Sequence, residues 1–171
     1  MNWIFTKQDI VKGAIVYTLG DTIATLILGE FNWIRFFGIM FIGAILYAFE
    51  VPNYFKWIEE KTKNLLGTKR TLAKTLLAIA FFNPLWIARH IFFIKLFMGQ
   101  MAFMNPNNPN ALTMGSLWHI ALQSFIAGAL VSFIANYIIQ NKIKLEGRFL
   151  ASAIFSGLMA IFYAFSESLF K

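Results

Sequence analysis

Cysteine is absent from the 171 residues, which excludes disulfides, thiolate chemistry and cysteine-bound metal. Charge is scarce: Asp, Glu, Lys and Arg make up only 13% of the chain. So few charges cannot supply the polar face that a soluble helical domain sets opposite its apolar stripe. The sequence contains no HExxH, GxSxG, P-loop or dinucleotide fingerprint. With two histidines in all, neither a metal nor a cofactor is expected, and the chain does not read as an enzyme. Repeats of 20 to 50 residues are also missing, so a solenoid is excluded. The N-terminal segment lacks the basic, apolar and small-residue succession of a cleaved signal, so the first span is expected to be retained.

What the chain has is apolar length. Hydrophobic residues make up 58% and the mean hydropathy is +0.63. Five runs, at residues 10–28, 34–55, 76–97, 117–139 and 149–170, are each long enough to cross a hydrocarbon core about 30 Å thick. The expected fold is all-α: a single domain, a polytopic membrane helical bundle of about five transmembrane helices.

Charge placement gives an orientation. Of the 15 Lys and Arg residues, Arg35 and Lys171 fall on one side, Arg89 and Lys95 lie within the third run, and all the others fall on the opposite side with the N-terminus. The positive-inside rule then puts the N-terminus inside and the C-terminus outside, in a bacterial or mitochondrial inner membrane. The same distribution accounts for the net charge of +7 without a nucleic-acid partner; lipid is the expected surrounding. Trp3, Tyr54, Trp57 and Tyr137 fall near the inner boundaries and Trp33 and Trp118 near the outer ones, as an aromatic belt would. Trp86 falls mid-run and reads as a packed core aromatic. The inner connector from Lys56 to Lys74 reads either as an interfacial helix or as a solvated loop. The outer connector, rich in Asn and Pro, reads as turns.

Small residues suggest how helices meet. Ser152, Ser156, Ala160 and Ala164 recur every four residues and read as a packing face, with Phe149, Phe155, Phe162 and Phe165 turned toward lipid. Ala44 with Ala48, and Ser124 with Gly128, repeat the spacing. Pro52 and Pro84 are expected to kink the second and third spans.

The polar residues within the runs are the candidate site. A central Arg costs about 2.5–3.5 kcal/mol on the insertion scale, so Arg89 requires a partner. At 1.5 Å per residue, Asp21 lies roughly 10 Å and Arg89 roughly 13 Å from the outer boundary, and an Asp21–Arg89 ion pair is expected. Thr18, Asp21 and Thr25 share a face of the first span. Asn83 and His90 share a face of the third, while His119 and Gln123, then Ser132, Asn136 and Gln140, form polar steps along the fourth. Glu50, about 8 Å from the inner boundary, is expected to snorkel or to pair with Lys56 or Lys12. Lys95 and Glu167 are expected to reach water at the outer boundary.

The run Tyr17-Thr-Leu-Gly20-Asp21-Thr-Ile23-Ala24 resembles the Gly-Asp-x-Ile-Ala signature of the Mpv/PMP-type family of peroxisomal and mitochondrial inner-membrane proteins. Pro52 with Trp57 is similar to that family's Gly-Pro…Trp-Tyr element, and Phe82-Asn-Pro84 with Gly99 to its Phe-x-Pro…Gly. Asn136-Tyr137, Arg148 and Phe162-Tyr163-Ala-Phe165 are similar to its closing signature. Thr25 stands where the family has Gln, Val51 replaces the Gly before proline, the family's Asp-Gln pair ahead of Phe-x-Pro is missing, and five spans replace four. Gly20-Asp21-Thr22 and Phe82-Asn-Pro84 also resemble bacterial alanine-exporter proteins. Both resemblances imply a small channel or exporter.

The expected function is therefore passage of small polar solutes, with Asp21 and Arg89 setting charge preference and Asn83, His90 and His119 along the path. A chain this short is expected to self-associate if it builds a pore. The alternative is a non-transporting accessory or assembly subunit, held by the same features in a larger membrane complex.

Overall fold

The computed structural model describes residues 3–82, 84–109 and 111–170, with side chains described through residue 162. It is all-helical apart from one isolated bridge, with helices α1 (Lys7–Leu28), α2 (Trp33–Ile42), α3 (Ala48–Thr62), α4 (Gly67–Phe81), α5 (Pro84–Phe97), α6 (Met114–Lys142) and α7 (Leu145–Phe170). A π-helical turn, Gly43–Tyr47, joins α2 to α3 in one continuous rod, and α4, ending at Phe81, and α5, starting at Pro84, make up a second. The described residues thus contain five rods that are long and apolar enough to cross a membrane.

Helix ends follow from local chemistry. Thr6 caps α1 by accepting from the Asp9 amide, and Gly29, at φ 69°, closes it in the left-handed conformation that a side chain would disfavour. Asn32 then caps α2 by accepting from the amides of Ile34 and Arg35. The α1–α2 turn is therefore only residues 29–32. Pro84 opens α5, where its missing amide leaves no helical bond unmade. Pro52, by contrast, sits inside α3, and the departure from α geometry in that rod is the π turn upstream, where the Ala48 amide donates to the Gly43 carbonyl.

The connector from Lys56 to Lys74 is neither a solvated loop nor a separate interfacial helix. Helix α3 runs on to Thr62 and α4 starts at Gly67, leaving a turn of residues 63–66. The outer connector docks as well as turning. Met101 and Leu112 pair across it, with the Leu112 amide donating to Gln100 and the Ala102 amide to Leu112, and both side chains are buried.

Helix α1 packs against α7 on one side and against α2, the π turn and α3 on the other. Helix α6 packs on α7 and on α4–α5, which closes the ring against α2 and α3. Two close approaches fix α1. A Cβ on Gly13 would stand 2.2 Å from the Gly43 carbonyl oxygen, and one on Gly20 would stand 2.4 Å from the Gly157 Cα. Ser152, Ser156 and Ala160 face inward, as their spacing predicts. The phenylalanines of α7 do not face lipid: Phe149 is buried and Phe155 and Phe162 pack on the core. At about 100° per residue Phe149 falls within the arc from Ser152 to Ala160 and Phe155 about 60° outside it, whereas Leu150, Ile154 and Leu158 lie opposite and are exposed. Ala164 and Phe165 fall outside the described side chains. Val11, Ile15, Leu19 and Ile23 form the corresponding outer stripe of α1. In water such faces would drive association; in a bilayer they are the solvent-facing surface.

Candidate functional site

The Asp21–Arg89 ion pair expected from depth alone does not form; each of the two residues pairs with another partner. Asp21 pairs with Arg35: Nε donates to Oδ2 at 2.9 Å and Nη2 to Oδ1 at 2.6 Å, with the two side chains 3% and 5% exposed. Arg35 Nη1 also reaches Met98 Sδ at 3.4 Å. The short α1–α2 turn is the reason. It sets the start of α2 beside the last turns of α1, and Arg35 can fold its long side chain down onto Asp21. Asp21 lies in α1 beside Thr18 and Thr25, both buried, and the Thr25 hydroxyl donates back to the Thr22 carbonyl.

Arg89 pairs instead with Glu50, Nη1 to Oε1 at 2.9 Å and Nη2 to Oε2 at 2.7 Å. Its neighbour His90 takes the inward direction, about 100° away around α5, so Arg89 is turned toward α3 rather than toward α1. Glu50 is therefore engaged by Arg89, a partner outside the expected Lys56 and Lys12. This second pair is open: the Arg89 and Glu50 side chains are 31% and 27% exposed.

Between the two pairs lies an aromatic knot. Tyr47, the last residue of the π turn, meets His90 Nδ1 through its hydroxyl at 3.0 Å. Trp86 stacks parallel to the His90 ring at 5.5 Å, and the Arg89 guanidinium lies 5.5 Å over the Tyr47 ring. Tyr17 of α1 packs on Tyr47 at 4.7 Å. Trp86 is thus the packed core aromatic that its position suggested.

Two cavities flank the open pair. One, about 450 Å³, is lined by Tyr54, Ala80, Phe81, Leu85, Trp86 and Arg89. The other, about 380 Å³, is lined by Glu50 and Asn53 together with aromatic rings of the N-terminal segment, α3 and α4. Each charge of the pair thus lines a different cavity, and the stacked rings of Tyr54 and Phe81 stand between them at 4.3 Å.

The remaining expected site residues scatter. His119 faces outward on α6 and meets none of this cluster. Lys95 is buried and donates to Gln100 at 2.9 Å instead of extending to the boundary. Asn83 and the side chain of Glu167 lie outside the described residues. Asn136 and Gln140 are buried on the inner half of α6, where a further cluster gathers. There Glu59 accepts from Lys74 and Arg148, each at 2.5 Å, and from Arg70 at 3.1 Å, while Arg148 also donates to Gln140 and to the Ile143 carbonyl. One carboxylate thereby ties the C-terminal end of α3 to the N-terminal halves of α4 and α7. Among the described residues, no three His, Asp or Glu side chains come together as metal ligands would.

Comparison of the chain with models of protein families, with curated proteins and with solved structures finds no match.

Proposed function

We propose that this integral membrane protein passes small polar solutes across the bilayer and that Glu50 and Arg89 carry its site. The carrying observation is the exposure of that pair. An ion pair closed among helices needs no further partner, as at Asp21 and Arg35. One that keeps about a quarter to a third of each side chain open, far from either end of its rod, is stable in lipid only where water, a polar ligand or another polypeptide meets it. The two flanking cavities give the first two of these a place. Asp21, fully enclosed, is a clasp between α1 and α2 in this reading.

The inner-facing N-terminus is part of the same proposal, supported by the basic residues gathered at the end that holds the Glu59 cluster. The polar path then reaches Glu50 past Trp3 and Trp57, and Arg89 past Leu85, on either side of the Tyr54–Phe81 wall. The open pair also supports the second reading, an accessory subunit whose partner helix covers Glu50 and Arg89. Flux into proteoliposomes separates the two. Transport by the purified protein that Glu50→Gln abolishes, and that Glu60→Gln at the exposed end of α3 leaves intact, supports passage. Absence of flux from active reconstitutions, with a co-purifying membrane partner lost on Glu50→Gln, supports the subunit.

A further inference from the structure

We propose that the cluster around Glu59 binds a phosphate-bearing anion at the edge of the bilayer. Charge there does not balance. Among the described residues, Glu59 is the one carboxylate bridged to Arg70, Lys74 and Arg148, so three cations meet one anion and two positive charges are left over. Lys74 and Arg148 are buried, and a buried cation without matching counter-charge is strongly destabilising. The Glu50–Arg89 pair, where the charges cancel, takes no part in this site.

Hydrogen bonding points the same way. The buried side-chain atoms of the cluster that lack a partner, Arg70 Nε and Gln140 Nε2, are both donors. Gln140 Oε1 already accepts from Arg148 Nη1 at 3.3 Å, so turning the amide over would set its NH2 against a guanidinium. The acceptors at hand are taken: Glu59 Oε1 by Lys74 and Arg148, Oε2 by Arg70, and the Ile143 carbonyl by Arg148 Nε. Lys74 spends one of its three donors on Glu59, and the Arg148 contacts come from Nε and Nη1 alone. What the cluster lacks is a negatively charged acceptor, and phosphate oxygens match guanidinium forks and an ammonium.

Depth brings the bilayer's own phosphates within reach. The α2–α3 and α4–α5 rods run 30 and 31 residues. At 1.5 Å per residue that is about 45 Å, the thickness of a bilayer with its headgroups. Glu59, Arg70 and Arg148 each stand three residues from a helix end, at Thr62, Gly67 and Leu145, which is headgroup depth. Arg70, 39% exposed, is the open rim of the cluster. Basic pockets between membrane helices at this level take anionic headgroups.

The anion can be a lipid headgroup or free phosphate, and two arms separate them. In the first, the full chain is released from nanodiscs of equal phosphatidylglycerol and phosphatidylcholine and its retained lipid is read by native mass spectrometry. Phosphatidylglycerol is expected to be retained at least about fivefold over phosphatidylcholine. Arg70→Gln is expected to remove most of that preference. Lys69→Gln, at an exposed neighbour outside the cluster, lowers the net charge equally and is expected to leave it. Arg70→Gln keeps both buried bonds of Glu59, so the variant folds. In the second arm, inorganic phosphate is titrated by calorimetry into the protein in phosphatidylcholine nanodiscs. Lipid preference without phosphate binding identifies the headgroup as the ligand. Phosphate binding without lipid preference, weakened by Arg70→Gln and not by Lys69→Gln, identifies the free anion; either result supports the site. Neither signal, or equal losses in the two variants, overturns it.

Discussion

Replacing Arg35 by Met removes both charge-assisted bonds to Asp21 while keeping a side chain of similar length. The Asp21 carboxylate, 3% exposed, is then left among helices with no water to take over from the guanidinium. Breaking one side of a buried pair costs about 3–5 kcal/mol, most of it the stranded charge. Removing both partners removes that penalty: Asp21→Leu with Arg35→Met is expected within about 1 kcal/mol of the parent, or above it. The coupling energy from the cycle is therefore expected at about 2 kcal/mol or more. Reversible unfolding by SDS in mixed micelles, read by tryptophan fluorescence, measures all four states. A single-variant loss below about 1 kcal/mol, or a double variant equal to the sum of the singles, would refute the assignment of this pair as an enclosed clasp.

The α1–α7 contact makes an asymmetric prediction. Gly20→Ala drives a Cβ to 2.4 Å from the Gly157 Cα and is expected to cost about 1–3 kcal/mol in the same unfolding assay. Gly157→Ala meets Gly20 at an ordinary 3.4 Å and is expected to be neutral or slightly stabilising, so equal effects would contradict the packing described. In the Glu59 cluster, Glu59→Gln leaves buried Lys74 and Arg148 facing each other and is expected to cost about 3 kcal/mol, against no measurable loss for the exposed Glu60→Gln.

The helical architecture was legible because spanning a bilayer requires long apolar runs, and no competing structure uses them. Pairing was less so, because depth was weighed without direction. Depth along the runs matches Arg89 to Asp21, yet His90 occupies the inward bearing of α5 and turns its neighbour Arg89 toward Glu50. Arg35 was read as a boundary residue. The readable signal is the Asn32 cap three residues after Gly29, which makes the turn so short that Arg35 faces α1. The phenylalanines of α7 misled through bulk, although their angular distance from Ser152 and Ser156 already placed Phe149 and Phe155 beside the packing face. The π turn had no sequence signature of its own; its position follows from the tertiary approach of Gly13 to Gly43. The two cavities depend on how the α4–α5 rod leans against α3, which no local pattern encodes.

The central claim, that a polar path reaches the Glu50–Arg89 pair, is tested most directly by thiol labelling, since the chain has no native cysteine to give background. Leu85 lines the cavity at Arg89 and is 66% exposed, and Leu158, on the outer face of α7, is 64% exposed. The account predicts that Leu85→Cys in proteoliposomes reacts with a charged, membrane-impermeant methanethiosulfonate while Leu158→Cys does not. Equal protection of both would contradict it.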